Sequence, residues 1–276
     1  MRIASPYDLD SRYSEKRGAY WRGYKVHGTE TCDDDTPHII THVETTMATD
    51  QDVTVVDAIH HALAPHHRLP DVHLVDGAST SGEKLVTSQH EYQMDLMGPM
   101  RQDQSWQAHD AQAFAIGHFQ IDWDQESVVC PMGKQRRPWK PSKGPRGTPT
   151  LQGALYRKDC AACRVRERCT RSPTEARGLT LHPQAQHLAL QAARERQHTE
   201  RFKEDYKRRA GIEGSLSQAA FAFGMRRTRY RGLQKTHFHH LATAMAINLQ
   251  RFVDWVWAIP PSKTRQSHFA RLELAT

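Results

Sequence analysis

Four of the five cysteines fall in one stretch of the chain, Cys130, Cys160, Cys163 and Cys169, while Cys32 stands alone. Cys160-x2-Cys163 has a spacing at which one short turn lets both thiolates face a single ion. Cys169 follows six residues later, and Cys130 opens Cys130-Pro131-Met132-Gly133, a run suited to a tight turn that presents a further sulfur. Four thiolates complete a tetrahedral zinc and leave no open position, so such a site would be structural. Two plainer accounts stand beside it: four unrelated thiols, or a redox Cys-x2-Cys pair. Cys32 reads as an ordinary strand thiol. Among the carboxylates, Asp76 closes an apolar run and precedes Gly77, the strand-end position where α/β folds place active-site residues. Glu213 lies beside Ile212 and Leu216 in a helical run, near an apolar face where a carboxylate needs a partner or a metal; the alternative is a rim residue that reaches water. Asp33, Asp34 and Asp35 have the chemistry to chelate Mg²⁺, but three adjacent acids in a turn more often serve solubility. The histidine groups His60, His61, His66, His67 and His237, His239, His240 read as solvated helix ends and loops, because no local carboxylate completes a ligand set.

The elements that must position these residues follow from periodicity. Tyr20–Thr31 and His38–Thr46 read as a β-hairpin around the polar turn at 33–37. A helix starting near Thr49 or Asp50 carries Val53, Val56, Ile59 and Leu63 at 3–4 spacing and stops before Pro65. Val72–Val75 reads as a buried strand, Thr80–His90 as a helix, and Met94–Met100 as another short strand. That order predicts an α/β fold with at least one parallel pair. Phe114–Val129 follows, and Gly133–Thr150, rich in Lys, Arg, Pro and Gly, reads as an exposed insertion. From Pro183 the chain turns helical, with successive apolar faces at Leu188 and Ala192, at Ile212, Leu216, Ala219 or Ala220 and Phe223, and at Leu241, Met245, Leu249, Phe252 and Val256. Pro260–Thr276 reads as a polar tail.

Charge is unevenly spread. The 276 residues carry a net +7, but residues 1–133 carry 9 Lys/Arg against 21 Asp/Glu, whereas 134–171 carry 12 against 2 and 194–235 carry 12 against 5. Two dense basic runs, interleaved with Trp139, Tyr156 and Tyr230, point to a polyphosphate partner, since Lys and Arg neutralise backbone phosphates without needing a sequence code. Five cysteines are too few for a disulfide scaffold. No apolar run is long enough for a membrane span, Leu241–Ile259 being broken by Gln250, Arg251 and Asp254. The N-terminus has no apolar signal core, so a cytoplasmic location is expected.

The chain resembles a bacterial insertion-sequence transposase with a DDE domain, in the branch that carries a cysteine-bearing insertion between the second Asp and the Glu. The resemblance runs almost end to end: Ser5-Pro6-Tyr7-Asp8, Gly23-Tyr24-Lys25-Val26-His27, Glu30-Thr31-Cys32-Asp33-Asp34-Asp35, His73-Leu74-Val75-Asp76, the four cysteines, Gly211-Ile212-Glu213-Gly214-Ser215, and Arg226-Arg227-x-Arg229-Tyr230-Arg231-Gly232. Tyr206, Arg209 and Glu213 fit the Y-(2)-R-(3)-E motif of related transposases. The resemblance implies an RNase H-like mixed sheet and a pair of Mg²⁺ ions held by two Asp and one Glu, which cleave a phosphodiester and transfer the strand. Asp76 matches the second Asp and Glu213 the Glu. Tyr206 and Arg209 match residues that position DNA near the metals, and Arg226, Arg227, Arg229, Arg231 and Lys235 would contact its phosphates.

Three departures from the family pattern qualify this. Nothing before Gly23 matches the D-S-T or D-A-T strand that holds the family's first Asp. Gly77-Ala78-Ser79 replaces Ala-Gly-Tyr after Asp76, and Ala220 replaces the Lys seven residues past the Glu. The expected organisation is an RNase H-like sheet portion lacking its first strand over 1–125, a zinc-binding basic insertion over 126–180, a helical part carrying Glu213 over 181–258, and a tail over 259–276. The expected function is that of a transposase fragment, inactive alone, acting on element ends and target DNA in the cytoplasm near the nucleoid, with self-association or a full-length transposase as further partners. The rival reading is a non-catalytic DNA-binding module or repressor derived from a transposase; a metal-dependent nuclease of the same fold is a third.

Overall fold

The alternating residues of the two predicted strands pair as an antiparallel hairpin, and a third strand joins them. The computed structural model describes residues 4–16, 18–136, 139–144 and 147–259, so the Pro260–Thr276 tail lies outside the described residues. The chain is mixed α/β and divides into two units, Met1–Arg68 with Lys207–Thr276, and Leu69–Tyr206. Its strands fall into four small sheets rather than one. Among the described residues no helix is long and apolar enough to cross a membrane.

In the first unit β1 (Arg12–Lys16), β2 (Ala19–Glu30) and β3 (Ile40–Met47) form one antiparallel sheet in that order. The segment before Tyr20, polar though it is, therefore supplies a strand: Arg12 opposes Gly23 and Lys16 opposes Ala19, while β3 pairs with β2 from Tyr24 onward. Polarity does not exclude β1 because it covers only the first five residues of β2, as a sheet edge. Helix α1 (Asp52–Leu63) packs on β3 and buries Val55, Val56, Ile59, His60 and Leu63, a face rotated from the expected one by the inclusion of Val55 and His60 in place of Val53.

Two further helices complete this unit; the first keeps part of its expected apolar face inward, through Ala219 and Phe223, and the second turns a different face inward. Helix α6 (Ala210–Phe221) buries Ser215 and Ala219, whereas Leu216 is exposed. Ser215 is drawn in by its hydroxyl, which donates to Glu30 Oε2. Helix α7 (Leu233–Val256) lies against β3 through Thr236, His240, Thr243, Ala244 and Ile247. The expected face of Leu241, Met245, Leu249, Phe252 and Val256 is exposed instead. Polar docking sets this choice. Asn248 accepts from the Ile40 N–H at 2.8 Å and donates to the Ile40 carbonyl at 2.9 Å, pairing with the strand as another strand would. The Thr45 hydroxyl lies 2.8 Å from His240 Nδ1 and 3.1 Å from His237 Nδ1.

Burial holds His240 down to about 4, and His239 and His237 push in the same direction. A histidine kept neutral stabilises the fold above its ordinary pKa of 6.5, and that contribution is lost as pH falls from there through about 4. Guanidinium unfolding across this window should therefore show stability dropping by up to about 3 kcal/mol. His240→Gln should flatten the profile, and a profile equally steep in the variant would remove His240 as its cause.

The second unit opens with a β-α-β crossover. β4 (Val72–Leu74) and β5 (Asp95–Met97) are parallel, joined by α2 (Gly82–Tyr92), as the sequence order predicts. Ser81 caps α2 by accepting from the Lys84 N–H. Two antiparallel sheets follow, β6 (Gln120–Asp122), β7 (Ser127–Val129) and β8 (Gln135–Arg136), then β9 (Lys140–Lys143), β10 (Pro149–Ala154) and β11 (Gly178–Leu181). The short α3 (Arg157–Ala161) lies between β10 and β11. The expectation that Gly133–Thr150 is merely exposed is corrected here. Trp139 is 8% and Thr150 7% exposed, and Trp139 joins Phe119, Val128, Leu155, Leu179 and Leu181 in a core of its own. Residues of two small sheets and of the segments flanking their strands share this core. Helices α4 (Gln184–Arg196) and α5 (Glu200–Lys207) close the unit. α4 packs on α2 and buries His187, Leu190 and Ala193, leaving Leu188 exposed.

Candidate functional site

Asp76 follows directly on β4, whose ladder continues one step through the Val75 N–H to Met97 carbonyl bond of 2.8 Å. Its Oδ1 accepts from the Ala78 N–H, the Ser79 N–H and the Ser79 hydroxyl at 3.1, 3.0 and 2.8 Å. Three donors on one oxygen fix the carboxylate and leave Oδ2 without a hydrogen bond among the described residues. Gly77-Ala78-Ser79 thus does structural work at this turn. Opposite it, a Cβ on Gly98 would come within 2.6 Å of the Val75 carbonyl oxygen and 2.8 Å of Thr80 Cγ2, so only glycine lets β5 pass this close to the Asp76 turn.

Tyr206, on α5, donates its hydroxyl to the Val75 carbonyl at 3.2 Å and stacks on Phe202 with ring centroids 5.5 Å apart. The motif tyrosine is therefore tied to the residue preceding Asp76. Sequence reading assigned it to DNA and missed this anchoring role, which the apolar neighbour Phe202 signalled.

Glu213 and Arg209 lie in the other unit. Glu213 is in the first turn of α6, its side chain 71% exposed, with Arg209 Nη1 3.3 Å away. It is the rim residue rather than the half-buried one. The buried carboxylate here is Glu30, at the end of β2, with a side chain 4% exposed. Its Oε2 accepts from Arg251 Nη1 at 3.0 Å and from the Ser215 hydroxyl, while Arg251 also donates to Ser215 Oγ and to the His38 carbonyl. A Cβ on Gly211 would lie 3.4 Å from His38 Nδ1 and 3.5 Å from Glu30 Oε1. Glu30 thus holds the helix turn that bears Glu213 through Ser215 and leaves little room beyond glycine at 211. Glu30 escaped sequence reading because an acid ending a strand next to three further acids looks like more solvated charge.

The basic loop between α6 and α7 carries Arg226, Arg227, Arg229 and Arg231, all exposed, as is Lys235 in the first turn of α7. The loop is held by Asp8, which accepts from the Gly232 N–H at 3.1 Å, the Ser11 N–H at 3.2 Å and the Tyr24 hydroxyl. Burial alone would raise the Asp8 carboxyl, but these bonds outweigh it and hold it below its usual value. Arg231 also lies 5.2 Å from the ring centroid of Tyr7.

The cysteines gather in the second unit. Cys160 and Cys169 are buried in the Trp139 core and Cys130 packs against it. Cys130 opens a turn in which Gly133 N–H donates to its carbonyl at 2.8 Å and Lys134 N–H lies 3.4 Å from its sulfur. The Cys163 N–H donates to the Cys160 carbonyl at 3.2 Å. Burial pushes the Cys169 thiol up, Cys163 adds to it, Arg177 opposes, and Cys130 and Cys160 push further up, so the other three sulfurs bear on this one. All five cysteines are free. Among the described residues no group of three or more His, Cys, Asp or Glu is closed into a metal-holding arrangement; the thiols are neighbours, not a finished coordination sphere.

Residues 129–253 match the model of a family described as a transposase DDE domain. The match takes in the four cysteines, Tyr206, Arg209, Glu213 and the basic loop, and Asp76 lies before it. Over this stretch the chain is similar to a transposase DDE domain. No curated protein and no solved structure matches the chain.

Proposed function

We propose that this protein handles DNA as a DDE transposase does, with Asp76 and Glu213 as two of the metal-holding carboxylates and the loop from Arg226 to Lys235 as the main phosphate-binding surface. One observation carries the reading. Tyr206, the first residue of the motif that ends in Glu213, donates to the residue before Asp76, which supports a role for that motif beside the Asp76 carboxylate. Arg209, ion-paired with Glu213, has the charge to steer a phosphate beside it.

Mg²⁺ suits the two carboxylates, being a hard cation that takes oxygen ligands. Asp76 offers Oδ2 and Glu213 an exposed carboxylate. When bound, the ions would activate the attacking oxygen and neutralise the leaving one. Two carboxylates are fewer than the three that the resemblance implies, so cleavage and strand transfer by this chain alone are not expected; DNA binding is. Self-association or pairing with a full-length transposase, and a place near the nucleoid in the cytoplasm, follow from that role. The four thiols form a soft, all-sulfur donor set that fits a structural Zn²⁺, with Arg177 beside Cys169 to offset thiolate charge.

The experiment is a salt titration of binding to a short duplex, alongside incubation with supercoiled plasmid in Mg²⁺ or Mn²⁺. Affinity should fall linearly on a log–log plot, and Arg226→Ala with Arg227→Ala should flatten the slope by about 0.9 for each phosphate left without its cation. Binding indifferent to salt would argue against a phosphate partner. Robust plasmid cleavage would show that another carboxylate completes the site.

A further inference from the structure

Helix α7 packs on one face and is apolar on another. Thr236, His240, Thr243, Ala244 and Ile247 are buried against the sheet. On the other side Phe238 is 65% exposed, Leu241 38%, Met245 71%, Leu249 66%, Phe252 53% and Val256 57%. At about 100° per residue these six lie within roughly 60° of one line along the helix. Ala242 and Val253 fill the same arc, so it contains no charged or hydrogen-bonding side chain from Phe238 to Val256. Gln250, Arg251 and Asp254 fall outside it. A continuous apolar stripe is the face by which a helix is normally buried, and here it is exposed.

We infer that the outer stripe of α7 is a dimer interface, covered by the same stripe of a second copy of this chain. The spacing fits a helical partner: Phe238, Met245 and Phe252 recur every seven residues, as do Leu249 and Val256, the repeat by which one helix seats its side chains between those of another. The size fits as well. Side chains of this bulk carry about 200 Å² each, which at the stated exposures gives roughly 700 Å². That exceeds the largest apolar patch of a typical monomer and approaches the ~800 Å² that each partner contributes to a standard interface. A stripe without charge has nothing to repel its own copy, and a two-fold axis satisfies it with one patch used twice.

Leu249 tests this, because it lies near the middle of the stripe, where a charge is covered by the partner whether the two helices run parallel or antiparallel. Sedimentation equilibrium of the full chain, without DNA, should give twice the 31.6 kDa chain mass. Leu249→Glu and Leu249→Lys should each raise the dissociation constant by about 30-fold or more, with helicity and unfolding midpoint in the monomer unchanged. An equal mixture of the two variants should recover the dimer through opposite charges. A parent chain monomeric throughout the concentration range, or assemblies that Leu249→Glu leaves intact, would overturn the proposal. So would a monomeric Leu249→Glu variant with a lowered unfolding midpoint, because Leu249 would then be covered within its own chain.

Discussion

Arg251→Ala should be among the most destabilising single substitutions in the first unit, at about 3–5 kcal/mol. The reason lies in what it leaves behind. Glu30, with a side chain 4% exposed, would keep only the Ser215 hydroxyl as a donor, and a buried carboxylate without its cation costs more than the pair contributes when intact. Arg251 also donates to Ser215 Oγ and the His38 carbonyl, so its loss unties the turn of α6 at Ser215 from the loop before β3. Replacing both charges, Arg251→Met with Glu30→Met, should recover most of the loss, because removing the pair together strands neither member. Urea unfolding of the single and double variants measures this directly. A single variant within 1 kcal/mol of the parent would show that Glu30 reaches water or another cation and that the pair is peripheral.

What could be read from the sequence and what could not divide along physical lines. Elements whose pattern is local were legible: the 20–46 hairpin, the α1 helix, and the parallel β4–β5 pair across α2 all form where alternation, 3–4 spacing and turn residues place them. Inward faces of the late helices were not fully legible, because they are set by polar docking across long sequence separations. Asn248 pairs with Ile40, His240 with Thr45, and Ser215 with Glu30, and apolar periodicity assigns no weight to any of these bonds. The same effect hid Trp139, whose burial depends on two sheets closing over a segment that reads as basic and turn-rich. Asp76 follows the strand and Glu213 lies on the helix that the sequence pattern gives them. Glu30 was not legible, since its importance lies in a partner 221 residues away.

Metal content of the second unit carries the largest expected effect. Purified protein should contain one zinc per chain, absent from Cys163→Ser, and chelation at neutral pH should melt the module built on Cys130, Cys160, Cys163 and Cys169. Structural zinc contributes an apparent binding free energy of roughly 10–16 kcal/mol in small domains at neutral pH. Here part of the fold is held by the core of Trp139, Val128, Leu155, Leu179 and Leu181, so chelation should lower the unfolding midpoint steeply without erasing all β-structure. The pH dependence separates the two states by sign. Without metal, the Cys169 thiol is raised above its ordinary pKa of 9.0, chiefly by burial. Its protonated form is then the one the fold prefers, so the module keeps its stability below that value and loses it as pH climbs through it. With zinc the ligands are thiolates, and stability instead falls as pH drops and protons compete with the metal. Thermal unfolding from pH 5 to well above 9, with and without chelator, reads both slopes. Protein that carries no zinc, and whose stability between pH 5 and 7 is untouched by chelator or by Cys163→Ser, would leave the four thiols as neighbours in an apolar core and nothing more.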